Sequence, residues 1–498
     1  MNYISTRNKN LKESSAFAIA NGISKEGGLF VPESIPKLNR EDFETLKTLD
    51  YCERAKYILS AFLTDFSEEE LEYCVKGAYS GTFDFDNPAP LAKLGENEYI
   101  LELWHGPTCA FKDLALQLLP YLMNVSANKA SKGLKTVILV ATSGDTGKAA
   151  LEGFKDVDNT EIIVFYPEEG VSNMQKLQMI SQQGENVNVC AISGNFDDAQ
   201  SAVKKIFTDD NIKSELAKNN MKFSSANSIN WGRLAPQIVY YVSAYCDLLS
   251  QGEDLKNGFT VTVPTGNFGN ILAAYYAKKM GVPIEKLICA SNSNNVLTDF
   301  INTGIYDKNR KFYTTCSPSM DILISSNLER LLFDLSNQDD IYISEIEDEL
   351  LKTGKFEIKD DIKEKISELF FAASCDDSLT LETIKETFEK YGYLIDTHTA
   401  VAVRAYNEFK AKTGDNRPAV IASTASPYKF TSSVLKALGQ APETDEFKNI
   451  EILSTISNTC APEPILKLKN ARVRFNKVYD KNNLKKAVEE CLFKQSDM

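Results

Sequence analysis

The run Phe259-Thr260-Val261-Thr262-Val263, then Pro264-Thr265-Gly266-Asn267-Phe268-Gly269-Asn270, then Ile271 to Met280, decides how this chain folds. A short β-branched run predicts a buried strand. A loop of small residues follows, and helix periodicity begins directly after it. Two glycines and two asparagines within five positions, Gly266 to Asn270, allow a backbone to wrap closely around an anion at a helix N-terminus. A capped strand-to-helix turn is the plainer reading. The loop is not GxGxxG and lacks the lysine of a P-loop, so nucleotide motifs do not fit.

The same device occurs earlier. Thr136 to Ala141 reads as a strand, Ser143-Gly144-Asp145-Thr146-Gly147 as the loop, and Lys148 to Phe154 as the helix. Further apolar runs lie at Glu161 to Tyr166, Val187 to Ile192, Lys286 to Ala290 and Pro418 to Ala422. Helical patterns separate them at Ser172 to Gln182, Asp197 to Phe207 and Arg233 to Leu249. Strands alternating with helices predict an α/β protein with parallel sheets covered on both faces, and the length has room for more than one sheet.

Toward the N-terminus, Gly27 to Pro32 reads as a turn into a short extended segment. Glu41 to Phe62 and Ser67 to Tyr79 read as helices, the second opening in capping-box spacing. Residues 335–370 are highly charged and helical in pattern, an insertion or covering layer. Asn483 to Phe493 reads as a last amphipathic helix. The expected division is an N-terminal helical and extended domain over 1–90, a catalytic core over 91–440 with a mobile subdomain near 125–225, and a C-terminal extension over 441–498.

The 498 residues carry a formal net charge of −14, which argues against nucleic acid or anionic lipid as general partners. It also means that an anionic ligand needs locally positive charge. Ten cysteines without a CxxC pair, and only two histidines, give a metal site little support. The start lacks an apolar export segment and no run approaches the roughly 20 apolar residues of a membrane span. The expectation is a cytoplasmic protein with free thiols, as monomer or homodimer.

Three further groups could carry chemistry. In His105-Gly106-Pro107-Thr108-Cys109-Ala110-Phe111-Lys112-Asp113, the lysine stands among apolar neighbours. Burial favours its neutral amine, a nucleophile toward aldehydes, although Lys112 could instead snorkel to the surface beside Asp113. Ser423-Thr424-Ala425-Ser426-Pro427-Tyr428-Lys429 is a buried strand end with hydroxyls and a lysine. Asn227 to Arg233 holds one of the chain's two tryptophans beside an arginine. A lysine for an aldehyde, a cup for its phosphate and a second anion loop together match pyridoxal phosphate.

At these residues the chain resembles the threonine synthase family. The motifs are HGPT-x-AFKD, ATSGDTG, NSIN-W, PTGNFGN, SPSMDI and DTHTAV, in that order, flanked by Tyr3 to Arg7 and by Tyr428-Lys429-Phe430. The resemblance implies the tryptophan-synthase-β fold (fold type II of pyridoxal-phosphate enzymes). It also implies the conversion of O-phospho-L-homoserine and water to L-threonine and phosphate by γ-elimination and β-addition of water. It makes Lys112 the Schiff-base lysine and Gly266, Asn267, Phe268, Gly269 and Asn270 the cofactor-phosphate loop. Thr424 becomes the hydroxyl facing the pyridine nitrogen, and Ser143, Gly144, Asp145 and Thr146 the loop gripping substrate. The chain departs from the family pattern at Ser426 (usually His), Tyr428 (a small residue), Thr397 (Pro) and Gly232 (Ala).

For the substrate phosphate, Arg233 is the first candidate, because its planar fork suits phosphate oxygens. Lys429 is second. Lys148, third, is expected to point along its helix surface. Other readings share parts of this set. A dehydratase needs no second phosphate site, a phospho-lyase acting on amino alcohols needs no carboxylate grip, and a non-catalytic relative needs no intact lysine.

Overall fold

A computed structural model of the chain describes residues 1–130, 133–142, 144–168, 171–194 and 196–493. Two sheets organise it. The larger has six strands, in spatial order Phe370–Ser374, Ile284–Ser291, Phe259–Pro264, Ala419–Ser423, Glu98–Glu102 and Leu91–Lys93. All neighbours are parallel except the last pair. Val261 pairs with Leu287 on one side and Val420 on the other, so the expected central strand is central. It is buried throughout, as a strand covered on both faces must be.

The second sheet is wholly parallel, in order Val478–Asp480, Val187–Ser193, Thr160–Pro167, Lys135–Ala141 and Met221–Ser224. Its outer strand comes from the far end of the chain, and the helix Leu484–Leu492 buries Leu484, Ala487 and Val488 on the same core. Residues 478–492 therefore complete this sheet.

In the larger sheet, the chain leaves Glu98–Glu102, Phe259–Pro264 and Ala419–Ser423 at one common edge, because these three strands are adjacent and parallel. The segments leading to Lys112, to Gly266–Asn270 and to Thr424 all start there. Ligands bind at this edge in open parallel sheets.

The N-terminal segment is joined to this core by buried anchors. Tyr3–Ser5 pairs antiparallel with Phe30–Pro32. Fully buried Trp231 packs its ring against Tyr3, Phe62 and Tyr276. Fully buried Arg330 donates to the carbonyls of Phe30 and Ile229 and to Asn327.

Two expectations are corrected. Glu41 to Phe62 is not one helix but two, Arg40–Thr48 and Tyr51–Phe62, because Asp50 caps the second and forms a capping box with Glu53. The 335–370 stretch is not continuous helix. Gly354 ends Asp340–Thr353 in the left-handed region, a strand Lys355–Glu357 pairs with Ile305–Asp307, and Asp360–Leu369 leads into the edge strand Phe370–Ser374. The capping box at Ser67 and Glu70 forms as its spacing predicts.

Candidate active site

Lys112 precedes the short helix Asp113–Leu116 and is 9 % exposed. The segment before it runs against the end of strand Ala419–Ser423. Ala110 bridges Ala425, and the Phe111 N–H donates to the Thr424 carbonyl at 2.9 Å. Lys112 and Thr424 are thus fixed side by side by backbone pairing. Asp113 is turned away, accepting from the backbone N–H and hydroxyl of Thr108. The Lys112 ammonium makes no hydrogen bond among the described residues, and its nearest charge is Asp145 Oδ2 at 3.9 Å. Burial pushes its pKa down to about 8, with Asp145 opposing and Arg233 and Lys429 adding to the fall.

Asp145 opens the helix Asp145–Phe154 beneath the second sheet. Its carboxylate accepts from Lys429 Nζ at 2.6 Å, Gln175 Nε2 at 3.0 Å and Ser319 Oγ at 3.1 Å. Burial raises its pKa, but the ammonium groups of Lys429 and Lys112 outweigh this and hold it well below the usual carboxylate range. Gly144, at φ 146°, has no room for a Cβ, which would lie 2.5 Å from Gln175. Thr142 Oγ1 accepts from the N–H groups of Gly144 and Gly147. The N–H groups of Asp145 and Thr146 at this helix start donate to nothing among the described residues. Ser143 lies outside the described residues.

The glycine loop shows a second set of available donors. The carbonyls of Gly266 and Asn267 accept from Ser325 Oγ at 2.6 Å and Asn327 Nδ2 at 3.2 Å. The N–H groups of Gly266, Asn267, Phe268, Gly269 and Asn270 meet no acceptor among the described residues. Phe268 takes left-handed backbone at the start of helix Gly269–Met280. Asn270 is held through its Oδ1 by Tyr240 and Tyr241, while its buried Nδ2 has no partner. Such a cradle suits a phosphate.

The three candidate basic residues differ. Arg233 is 6 % exposed, its guanidinium donates only to the Ala226 carbonyl, and it faces no carboxylate among the described residues. Burial pushes its pKa down to about 10, which leaves it charged at neutral pH. Lys429 is braced between the Thr108 carbonyl and Asp145. Lys148 does not lie along the helix surface; it is buried against Glu152 and Gln182.

Family models match at three places: the threonine synthase N terminus over 2–79, pyridoxal-phosphate-dependent enzyme over 85–354, and the threonine synthase C-terminal model over 399–487. Threonine synthase of Pseudomonas aeruginosa is 39% identical over 89% of this chain and 92% of its own. This chain belongs to the threonine synthase family. A pyridoxal-phosphate-bound threonine synthase of Brucella melitensis superposes with a TM-score of 0.88 at 36% identity, covering 99% of this chain and 100% of that one. The fold is therefore that of fold type II pyridoxal-phosphate enzymes. Threonine synthase-like 1 of Homo sapiens is 43% identical over 84% of this chain, which spans only 57% of that longer protein.

The residues present fit the family's cofactor. Lys112, whose amine makes no hydrogen bond among the described residues, is carried on a segment whose backbone pairs with that of Thr424, the Thr424 hydroxyl likewise makes none there, and a phosphate cradle opens from the adjacent strand. Sequence reasoning missed Gln175 and Ser319, and read the second histidine, His398 beside Asp396, as a satisfied core residue. The motifs SPSMDI and DTHTAV contain the last three, but only the fold brings Ser319 to Asp145. Among the described residues no helix is long and apolar enough to cross a membrane.

Proposed function

We propose that this chain binds pyridoxal phosphate at Lys112 and converts O-phospho-L-homoserine and water to L-threonine and phosphate. The observation that carries this is Arg233, a buried cation with no carboxylate partner among the described residues, whose charge acts to lower the pKa of Lys112. Burying a charge without a partner is costly, so such a residue is a place for an anion. With the cofactor's phosphate in the Gly266–Asn270 cradle, the anion left for Arg233 is the phosphate of the substrate.

The cofactor, when bound, supplies an electron sink next to the amine-bearing carbon of the substrate. This chain's residues supply the rest. Lys112 Nζ, with its lowered pKa, accepts the proton from that carbon and returns a proton later. The N–H groups of Asp145 and Thr146 at the helix start hold the substrate carboxylate. Thr424 offers a hydroxyl rather than a carboxylate to the ring, which moderates the sink. Lys429 fixes Asp145 and the Thr108 carbonyl across the two sheets. The body near 125–225, carrying Asp145 and Gln175, closes over the substrate and excludes water until phosphate has left.

The test is a comparison of O-phospho-L-homoserine with threonine and serine as substrates of the full chain. Turnover of the phosphate ester alone supports this reading. Dehydration of the unphosphorylated amino acids at comparable kcat/KM supports a dehydratase instead.

A further inference from the structure

His398 lies in the first turn of the helix Thr397–Thr413, capped by Asp396. Both ring nitrogens are engaged. Nδ1 is 2.7 Å from Asp396 Oδ2, and Nε2 is 3.1 Å from the backbone nitrogen of Ser319. A backbone N–H can only donate, so Nε2 is the acceptor and carries no proton. The ring is therefore neutral with its hydrogen on Nδ1, donated to Asp396.

Ser319 connects this ring to the reactive groups. It sits in the turn Pro318–Met320 and donates its hydroxyl to Asp145 Oδ2, the carboxylate atom 3.9 Å from Lys112 Nζ. Its carbonyl backs the glycine loop: a Cβ on Gly266 would lie 3.1 Å from Ser319 O. One turn thus touches both the Asp145 side and the phosphate-cradle side of the site, and His398 holds its backbone.

We propose that His398 is a positioning residue: its neutral ring anchors the Ser319 turn, which sets Asp145 beside Lys112 and fixes the floor of the cradle. This rests on the reading of the Lys112 site given above. Protonation at Nε2 would set one N–H against another. The turn would then move, and Asp145 would lose a donor. The ring is faced by the carboxylate of Asp396 from its own cap, and the charge of Asp321, whose carboxylate is held by Asn292, Asn294 and Thr315, also acts on it. The Phe430 ring packs against it at 4.9 Å between centroids. Asp145, which accepts from the Ser319 hydroxyl, is itself paired with Lys429.

The chain has only two histidines, so nitrogen-15 NMR of histidine-labelled full-length protein shows two imidazoles, and His105→Asn assigns them. His398 is expected as the Nδ1–H tautomer. His398→Leu, which removes the acceptor, should lower kcat/KM about tenfold at every pH, the worth of one buried hydrogen bond. His398→Gln offers an acceptor oxygen for the same N–H, so it should recover most of that loss. An Nε2–H tautomer overturns the proposal, as does a His398→Gln variant no more active than His398→Leu. A ring found as Nδ1–H in a chain that forms no threonine supports the positioning role and counts against the proposed activity instead.

Discussion

Lys429 Nζ lies 2.6 Å from Asp145 Oδ1, a buried ion pair that joins the two sheets across the candidate site. Lys429 arrives from the end of the strand Ala419–Ser423, and Asp145 from the loop after Lys135–Ala141. Removing one partner of such a pair leaves a buried charge uncompensated, which costs about 3–5 kcal/mol. Lys429→Met is therefore expected to lower the stability of the chain by about that amount in urea unfolding. The double variant with Asp145→Asn should recover a good part of the loss, because it removes the stranded charge as well. Equal destabilisation by the single and double variants would show that the pair does not carry this load.

Arg233→Gln removes a buried guanidinium that faces no carboxylate among the described residues and donates to a single carbonyl there, unlike Arg330, whose guanidinium is taken up by Phe30, Ile229 and Asn327. Loss of a charge-assisted phosphate contact costs about 1.5–3 kcal/mol, roughly ten- to more than a hundredfold in kcat/KM for O-phospho-L-homoserine. The cofactor spectrum should be unchanged, since the cradle at Gly266–Asn270 is separate. An unchanged kcat/KM excludes Arg233, and the same assay on Lys429→Gln then decides on the second candidate.

Gly266 is the tighter position of the phosphate cradle. A Cβ there meets the Ser319 carbonyl at 3.1 Å, whereas at Gly269 the nearest atom is Asn327 Nδ2 at 3.4 Å. Gly266→Val should weaken pyridoxal-phosphate retention about tenfold or more, and Gly269→Val by less, as read by equilibrium dialysis. Equal retention in Gly266→Val and the parent would place the cofactor phosphate elsewhere.

Lys112 gives a pH dependence with a definite sign. Its pKa is lowered to about 8, so the ammonium dominates below that pH and the nucleophilic amine above it. Capture of pyridoxal phosphate by the cofactor-free protein, followed by visible absorbance, should accelerate as pH rises through about 8 and then level off. Asp145 raises the Lys112 pKa, so Asp145→Asn should move the midpoint to lower pH. Lys112→Ala should show neither this absorbance nor turnover; full activity in that variant without added amine would remove Lys112 from the mechanism.

The parts of this molecule that were legible in the sequence are those encoded locally. The strand Phe259–Pro264 and its glycine loop are one continuous signal, and Lys112 stands out because its neighbours are apolar. Short strands were not legible. Leu91–Lys93, Phe370–Ser374 and Val478–Asp480 are edge strands, and too few residues alternate in each to show a period. The break at Asp50 was legible in principle, since Asp50 and Glu53 have capping-box spacing, but the continuous helical composition on both sides hid it. Ser319 and His398 are 79 positions apart and each looks ordinary alone. Their role comes from packing across the sheet, which no local pattern encodes.

The most direct measurement of the proposed reaction is the fate of oxygen-18 when the full chain turns over O-phospho-L-homoserine in labelled water. Loss of phosphate from Cγ breaks a carbon–oxygen bond, so phosphate leaves with its ester oxygen, and water then adds at Cβ. Threonine carrying one labelled oxygen is expected, with one unlabelled phosphate for each threonine formed. Labelled phosphate accompanied by homoserine, or phosphate released without threonine, would contradict it.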